Sequence, residues 1–277
     1  MKAVRFEDPN GEIRIGRLDD ETTITDAGAG GPRGFIPSPE GWTTIENADG
    51  PRYDANQVRI LHPVNPGKIL AIGLNYRGHA EEIGAKIPEV PVVFAIWPSS
   101  LVGDRAPIVV PREETKPDYE AELAVVIGTR TYRAAAEQAT TAVGGISAFN
   151  DVSGRRAQLE TPLRQYTLGK SFDTFSPMGP CIASTEQTDL TNLDIRTTVS
   201  GEVVQEANTC DLIFSVQELI IYLSAGVTLE PGDVIATGTP GGVGMSREPP
   251  RYLHHGDTVE IYLEGVGTLT NPVQGER

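Results

Sequence analysis

The sequence predicts a mixed fold, predominantly β with a few covering helices. Short apolar segments bounded by Gly, Pro, Asn and Asp recur along the chain and outnumber the stretches with helical periodicity. The helical stretches do not alternate regularly with the strands, which argues against a doubly wound parallel sheet. At 277 residues the chain can bury a substantial core without disulfide or metal staples.

Residues 1–63 read as a small β-rich N-terminal domain. Lys2-Ala3-Val4-Arg5-Phe6 and Glu12-Ile13-Arg14-Ile15-Gly16 alternate as strands do, and Ala27-Gly28-Ala29-Gly30-Gly31-Pro32 reads as a loop. Gln57-Val58-Arg59-Ile60-Leu61, followed by a His-Pro-Val-Asn-Pro-Gly run, leads into a larger domain at 64–277. There, Lys68-Ile69-Leu70-Ala71-Ile72-Gly73 predicts a buried strand, residues 74–84 a short helical piece fenced by glycines, and residues 89–97 another strand. Residues 134–142 predict a modest helix and 143–149 a strand ending on Asn150-Asp151. The clearest amphipathic helix is 215–223, with Ser215 as cap and Glu218 at the capping-box spacing. Strands follow at 233–238, 258–263 and 268–270.

Composition excludes several classes. A net charge of -15 with no basic, aromatic-interleaved stripe argues against nucleic acid as a partner. Cys181 and Cys210 form neither a CxxC nor a cluster with histidine, so a reducing compartment, the cytoplasm, is expected. No apolar run approaches the length of a membrane span, and residues 1–12 are charged where a signal peptide would be apolar.

The chemistry concentrates in Asp118-Tyr119-Glu120-Ala121-Glu122-Leu123-Ala124-Val125-Val126-Ile127-Gly128. Side chains alternate along a strand, so Glu120 and Glu122 share a face with Ala124 and Val126, while Tyr119, Ala121, Leu123, Val125 and Ile127 take the other. Two charges about 6.6 Å apart repel by roughly 2.5 kcal/mol at an effective dielectric near 20. An oxygen-only site of this kind suits Mg²⁺, Mn²⁺ or Ca²⁺. The spacing alone fits a solvated strand end equally well.

Asp151 is a third acid that could complete a carboxylate cage, although Asn-Asp at a strand end is also a common turn signal. His79 and Glu82, at i and i+3, would share a helix face, where a carboxylate can orient an imidazole as general base. A stray surface histidine is the plainer alternative. Gly73, Gly78 and Gly84 around the pair suit a mobile lid. Lys170 reads as a carboxylate clamp or an exposed lysine, and Arg155 and Gln158 could face the same cavity as Asp151. The glycine-rich loop Thr237-Gly238-Thr239-Pro240-Gly241-Gly242-Val243-Gly244 matches neither a P-loop nor GxGxxG; its amides and Thr239 could cradle a carboxylate, or it is a long turn.

Taken in order, Ile72-Gly73-Leu74-Asn75-Tyr76 with His79 and Glu82, Asp118 to Glu122, Asn150-Asp151-Val152-Ser153 with Arg155 and Gln158, Gly169-Lys170-Ser171-Phe172-Asp173-Thr174, and the run Leu229 to Pro240 resemble the fumarylacetoacetate hydrolase superfamily. The resemblance is to its acylpyruvate hydrolase-like branch and extends from about residue 66 to 273. It implies a β-roll catalytic domain, a homodimer, and Mg²⁺ or Mn²⁺ held at Glu120, Glu122 and Asp151, with Ca²⁺ an alternative occupant in crystals. It further implies that His79 and Glu82 activate water from a lid, with Lys170, Gln158, Arg155 and Thr239 near substrate.

The chain departs from that pattern where Phe94-Ala95-Ile96-Trp97 replaces Phe-Leu-Lys-Pro, at Gly154 and Arg156, and at Ile72, where larger relatives carry a fourth acid. Loss of the lysine at Ile96 leads to the expectation of a substrate with one carboxylate and an apolar tail. The expected activity is hydrolysis of a carbon–carbon bond in an acylpyruvate-like 1,3-dicarbonyl acid. Two alternatives are oxaloacetate decarboxylation or oxo-acid tautomerisation at the same site, and non-catalytic binding of an organic acid or Ca²⁺.

Overall fold

The structure, a computed structural model, describes residues 1–186 and 188–276. Strands dominate. The first part of the chain supplies β1 (Lys2–Glu7), β2 (Ile13–Leu18), β3 (Thr23–Ala29), β4 (Arg52–Asp54) and β5 (Arg59–Leu61), with α1 (Pro39–Glu46) between β3 and β4. The expected loop at 27–32 is therefore strand as far as Ala29, because Ala29 pairs with Arg14 and Gly28 with Ile15. Helix α1 was not expected from the alternating pattern. Its signal is local: Ser38 caps it by accepting from the Gly41 amide at 3.2 Å, and Pro39 stands in the first turn. Trp42 on α1 donates its indole N–H to the Gly144 carbonyl at 2.8 Å, fastening this part to the rest.

The chain continues as β6 (Ile69–Gly73), α2 (Arg77–Glu82), β7 (Val92–Ile96), β8 (Leu101–Val102), β9 (Ile108–Val110), β10 (Pro117–Asp118) and β11 (Ala121–Ile127). Next come α3 (Ala136–Ala142), β12 (Val143–Asn150), β13 (Ser153–Gly154), α4 (Arg155–Leu159) and α5 (Tyr166–Lys170). The last elements are β14 (Ser176–Ala183), β15 (Asp194–Val199), β16 (Glu202–Asn208), α6 (Val216–Ser224), β17 (Val234–Ala236), β18 (Thr258–Leu263) and β19 (Gly267–Gly275). The capping box at Ser215 and Glu218 forms as the spacing predicts.

One large sheet runs in the order β4-β3-β2-β1-β14-β12-β11-β17-β6-β7. Its N-terminal strands join the remainder through antiparallel pairing of β1 with β14. A second sheet, β16-β15-β18-β19-β9, packs against it, and β10 with β13 forms a short ribbon beside the site.

Strand β11 separates two cores. Every residue of it is buried. Tyr119, Ala121, Leu123, Val125 and Ile127 enter one apolar cluster, while Ala124 and Val126 enter the other with Ile69, Ala71, Val234 and Ala236. The alternation read from the sequence therefore holds, and Glu120 and Glu122 stand where the second core gives way to a cavity.

Asn75, between β6 and α2, is fully buried. Its side chain accepts from the Phe214 amide at 2.8 Å and donates to the carbonyls of Phe214 at 3.1 Å and Thr237 at 2.7 Å. It ties the α2 segment to the 237–244 loop. Replacing Asn75 with Ala leaves a buried amide and two carbonyls unpaired, so urea unfolding should show a loss of about 2 to 4 kcal/mol. A loss under about 0.5 kcal/mol would mean that these bonds are not what holds the segment.

Candidate metal centre and active site

Glu120 sits just before β11 and Glu122 within it, while Asp151 follows β12, the antiparallel neighbour of β11. Pairing Ala121 with Asn150 and Glu122 with Phe149 brings Asp151 beside the two glutamates. One carboxylate oxygen from each of the three acids lies within 4.8 Å of the others, and all three side chains are buried.

Two buried cations brace them. Lys170 directs its Nζ at Glu120 Oε2 (2.8 Å), Asp151 Oδ2 (2.5 Å) and Ser153 Oγ (2.9 Å). Arg155 donates to Asp118 Oδ2 at 2.9 Å, Glu120 Oε1 at 2.6 Å and Gln158 Oε1 at 2.9 Å. Asp118, fully buried, also accepts from the amides of Tyr119 (2.9 Å), Gly244 (2.7 Å) and Met245 (3.0 Å). Four buried carboxylates thus face two buried cations.

The imbalance shows in the protonation of the acids. Burial pushes Glu120 up, but Lys170, Arg155 and His79 outweigh it and hold it at about 2. Burial, and then repulsion from Asp151, pushes Glu122 well above the usual carboxylate range. Burial and Glu120 outweigh the pull of Lys170 on Asp151 and raise it to about 6. Asp151 Oδ1 is buried without a hydrogen-bond partner among the described residues. An unsatisfied carboxylate oxygen in an oxygen-only cage short of positive charge is the donor set that a hard divalent cation fits.

His79, on α2, makes a 3.2 Å hydrogen bond through Nδ1 to Glu82 Oε2. An ionised carboxylate only accepts, so Nδ1 carries the proton in this bond. Glu82 Oε1 in turn accepts from the Gly242 amide at 2.8 Å. The 237–244 loop reaches the cage too, through the Gly238 amide on Glu122 Oε2 at 2.9 Å. Both glycines are required: Gly238 has φ +104° with Asn75 against it, and at Gly242, φ +99°, a Cβ would fall 2.2 Å from the Val204 carbonyl. Thr239 accepts from the buried Gln205 amide at 2.9 Å.

A cavity of about 530 Å³ joins these groups, lined by His79, Glu120, Glu122, Asp151, Arg155, Gln158, Lys170 and Thr239 among others. Every candidate site residue read from the sequence except Glu82 lines it, and Glu82 is bonded to one that does. Two expectations change. Lys170 is neither exposed nor a free clamp, because its Nζ is bonded to Glu120, Asp151 and Ser153. Ile96 and Trp97 do not line the cavity, so the missing lysine does not make it apolar: Ile96 pairs with Ile69 at the core end of β7, and Val92 and Phe94 face the cavity instead. Sequence reasoning missed Asp118, whose signal was present: it shares the parity of Glu120 and Glu122. It also missed Ser153, Gln205, Arg164 and Tyr166, which carry no such pattern.

Residues 68–274 match the family described as fumarylacetoacetate (FAA) hydrolase C-terminal. The chain belongs to the fumarylacetoacetate hydrolase family. A mitochondrial oxaloacetate tautomerase of Xenopus laevis is 38% identical over 290 residues, covering 99% of this chain and 90% of that protein. Its human counterpart is 40% identical over 225 residues, covering 80% and 72%. Among solved structures, a 2-hydroxyhepta-2,4-diene-1,7-dioate isomerase from Mycobacterium marinum superposes with a TM-score of 0.83 at 34% identity, covering 100% of this chain and 99% of that one. A fumarylacetoacetate hydrolase from Exiguobacterium antarcticum gives 0.83 at 35% identity, with both chains fully covered. The fold read from the sequence is that of a fumarylacetoacetate hydrolase family enzyme. No helix among the described residues is long and apolar enough to cross a membrane.

Substituting Glu122 with Gln should abolish stabilisation by Mg²⁺ or Mn²⁺ while leaving the metal-free melting temperature within a few degrees of the parent. For the parent, metal at one hundred times Kd should add about 2.7 kcal/mol. Equal metal-induced shifts in both proteins by calorimetry would remove Glu122 from the ligand set.

Proposed function

We propose that this family member is a divalent-cation-dependent enzyme that moves a proton at the carbon beside the carbonyl of a 2-oxo acid, as a keto–enol tautomerase or double-bond isomerase. The observation that carries this is how the donors around the cage are used. Lys170 directs its donors at Glu120, Asp151 and Ser153, and Arg155 is engaged by Asp118, Glu120 and Gln158, while His79, bonded to Glu82 through Nδ1, lines the cavity. Proton transfer needs a base and the stabilisation of one anion. Attack by water on a second carbonyl needs, in addition, donors aimed at a tetrahedral oxyanion.

Glu120, Glu122 and Asp151 would hold Mg²⁺ or Mn²⁺, which supplies Lewis-acid stabilisation of developing negative charge on oxygen. His79 Nε2 takes the proton from carbon, and Glu82 stabilises the resulting imidazolium through Nδ1–H. The same Nε2–H then returns the proton to oxygen or to another carbon, so no atom is gained or lost. The names of the relatives support this reading, one a tautomerase of oxaloacetate and another an isomerase of a 2-hydroxydienedioate.

Hydrolysis of an acylpyruvate-like acid is the second reading. It is favoured by the same His79–Glu82 pair, which would orient a water as readily as a carbon acid. The assembly belongs to this proposal as well. The exposed Val93 on the edge strand β7, Trp97 just after it and Leu168 of the adjoining α5 offer an apolar surface that a second copy of the chain would cover. A reducing compartment, the cytoplasm, suits the free thiols of Cys181 and Cys210.

With Mg²⁺ in D₂O, the protein should accelerate enolisation and deuterium exchange at C3 of oxaloacetate, read by NMR, without loss of carbon. His79→Gln should lower that rate by roughly 10²- to 10⁴-fold. Cleavage of an acylpyruvate into two acids, with enolisation at background rate, would replace this reading with hydrolysis. Release of CO₂ would replace it with decarboxylation.

A further inference from the structure

Gln205, on β16 of the second sheet, is buried against the loop that follows β17. A bulge puts it there. Thr197 pairs with Gln205 but Thr198 pairs with Val203, so Val204 is one residue more than β15 can match. Val204 and Gln205 are both buried, where regular alternation would bury one of the two.

All four hydrogen-bonding positions of the Gln205 amide are used. Its Oε1 accepts from the Ala121 amide at 3.0 Å and from the Thr197 hydroxyl at 2.6 Å. Its Nε2 donates to Thr239 Oγ1 at 2.9 Å and to the Pro240 carbonyl at 3.0 Å. The two ends of the amide cannot be exchanged, because the Ala121 N–H only donates and the Pro240 carbonyl only accepts. Thr239 Oγ1 is therefore the acceptor toward Gln205, and its own proton points elsewhere. Among the described residues no acceptor takes that proton, and Thr239 lines the cavity.

The loop fixes where the hydroxyl lies. Gly238, just before Thr239, bonds Glu122 of the cage at 2.9 Å, and Gly242, three residues after it, bonds Glu82, the partner of His79, at 2.8 Å. Along the loop, Thr239 lies between an anchor on the cage and an anchor on the acid that orients His79.

We propose that Gln205 is a positioning residue for the reaction: by occupying the acceptor side of Thr239 it turns the hydroxyl proton into the cavity, where it donates to the substrate oxygen that gains negative charge. Lys170 Nζ is bonded to Glu120, Asp151 and Ser153, so the hydroxyl supplies a donor that Lys170 does not. A donor whose direction is fixed before substrate arrives stabilises developing charge without reorganising. Through the Ala121 amide, Gln205 also ties this donor to the strand that carries the two glutamates. The inference rests on the enolisation reading above, in which charge gathers on one oxygen.

The test is a double-mutant cycle on the full chain with Mg²⁺. Thr239→Val removes the hydroxyl at nearly constant volume, and Gln205→Met removes the group that orients it. Gln205→Glu, which keeps an acceptor for the Ala121 amide, takes the place of the Met variant if melting shows the latter unfolded. Turnover is read as deuterium exchange at C3 of oxaloacetate. Binding is read by calorimetry with oxalate, a stable dianion that resembles a 2-oxo-acid enolate. Thr239→Val should lower kcat by roughly 10- to 100-fold with KM within about threefold, the range for a hydrogen bond to a charged group. Thr239→Ser, which restores the hydroxyl, should recover most of that loss. The Gln205 variant should lower kcat by roughly tenfold, and the double variant should lie within about threefold of Thr239→Val; oxalate affinity should follow the same pattern. An unchanged kcat in Thr239→Val, a loss confined to KM, or losses that multiply in the double variant would each overturn the proposal while leaving the enolisation reading in place. If the parent exchanges no deuterium yet its oxalate affinity depends on Gln205 and Thr239 without multiplying, the enolisation reading falls and the positioning role of Gln205 stands.

Discussion

Burying an ion costs several kcal/mol unless it is paired and hydrogen-bonded, and removing one partner of a buried pair costs about 3 to 5 kcal/mol. Asp118, Glu120, Glu122 and Asp151 are all buried together, and among the described residues only Lys170 and Arg155 are buried with them as counter-charges. This shortage of positive charge constrains the rest of the structure. The fold tolerates it because the acids are fixed by strand register rather than by their own attractions. Ala121 opposite Asn150 places Asp151 beside Glu120, and the apolar clusters on either side of β11 hold that register.

The loop after β17 turns the cage into a site. Within a few residues its amides reach three different acids: Gly238 bonds Glu122, Gly242 bonds Glu82, and Gly244 bonds Asp118. One backbone segment therefore joins the cage, the carboxylate that orients His79 and the acid that supports Arg155. Gln205, from the second sheet, fixes the same loop through Thr239 and the Pro240 carbonyl. A displacement of this segment would disturb His79 and the cage together, and hydrogen bonding from both sheets converges on it.

How much of this was legible in the sequence depended on how local its cause was. The alternation around Glu120 and Glu122, the His79 to Glu82 spacing and the Ser215 capping box are short-range patterns, and they appear in the structure as read. Helix α1 also has a local cause, Ser38 followed by Pro39, but it buries little, so the flanking β-pattern obscured it. The engagement of Lys170 and Arg155 was not legible, because it depends on β10, β12 and β13 bringing Asp118, Asp151 and Ser153 to the end of α5 and the start of α4. The irrelevance of Ile96 to the cavity was hidden for the same reason: its position along β7 relative to Gly73 and Val92 is set by pairing with β6.

The central claim is that the excess of buried acid exists to hold one divalent cation. Anomalous diffraction at the manganese edge, from crystals soaked in Mn²⁺, tests it most directly. The account predicts a single strong peak per chain bounded by Glu120, Glu122 and Asp151, at about 2.0 to 2.3 Å from one oxygen of each. A fully occupied peak elsewhere, or none at saturating Mn²⁺, would contradict it.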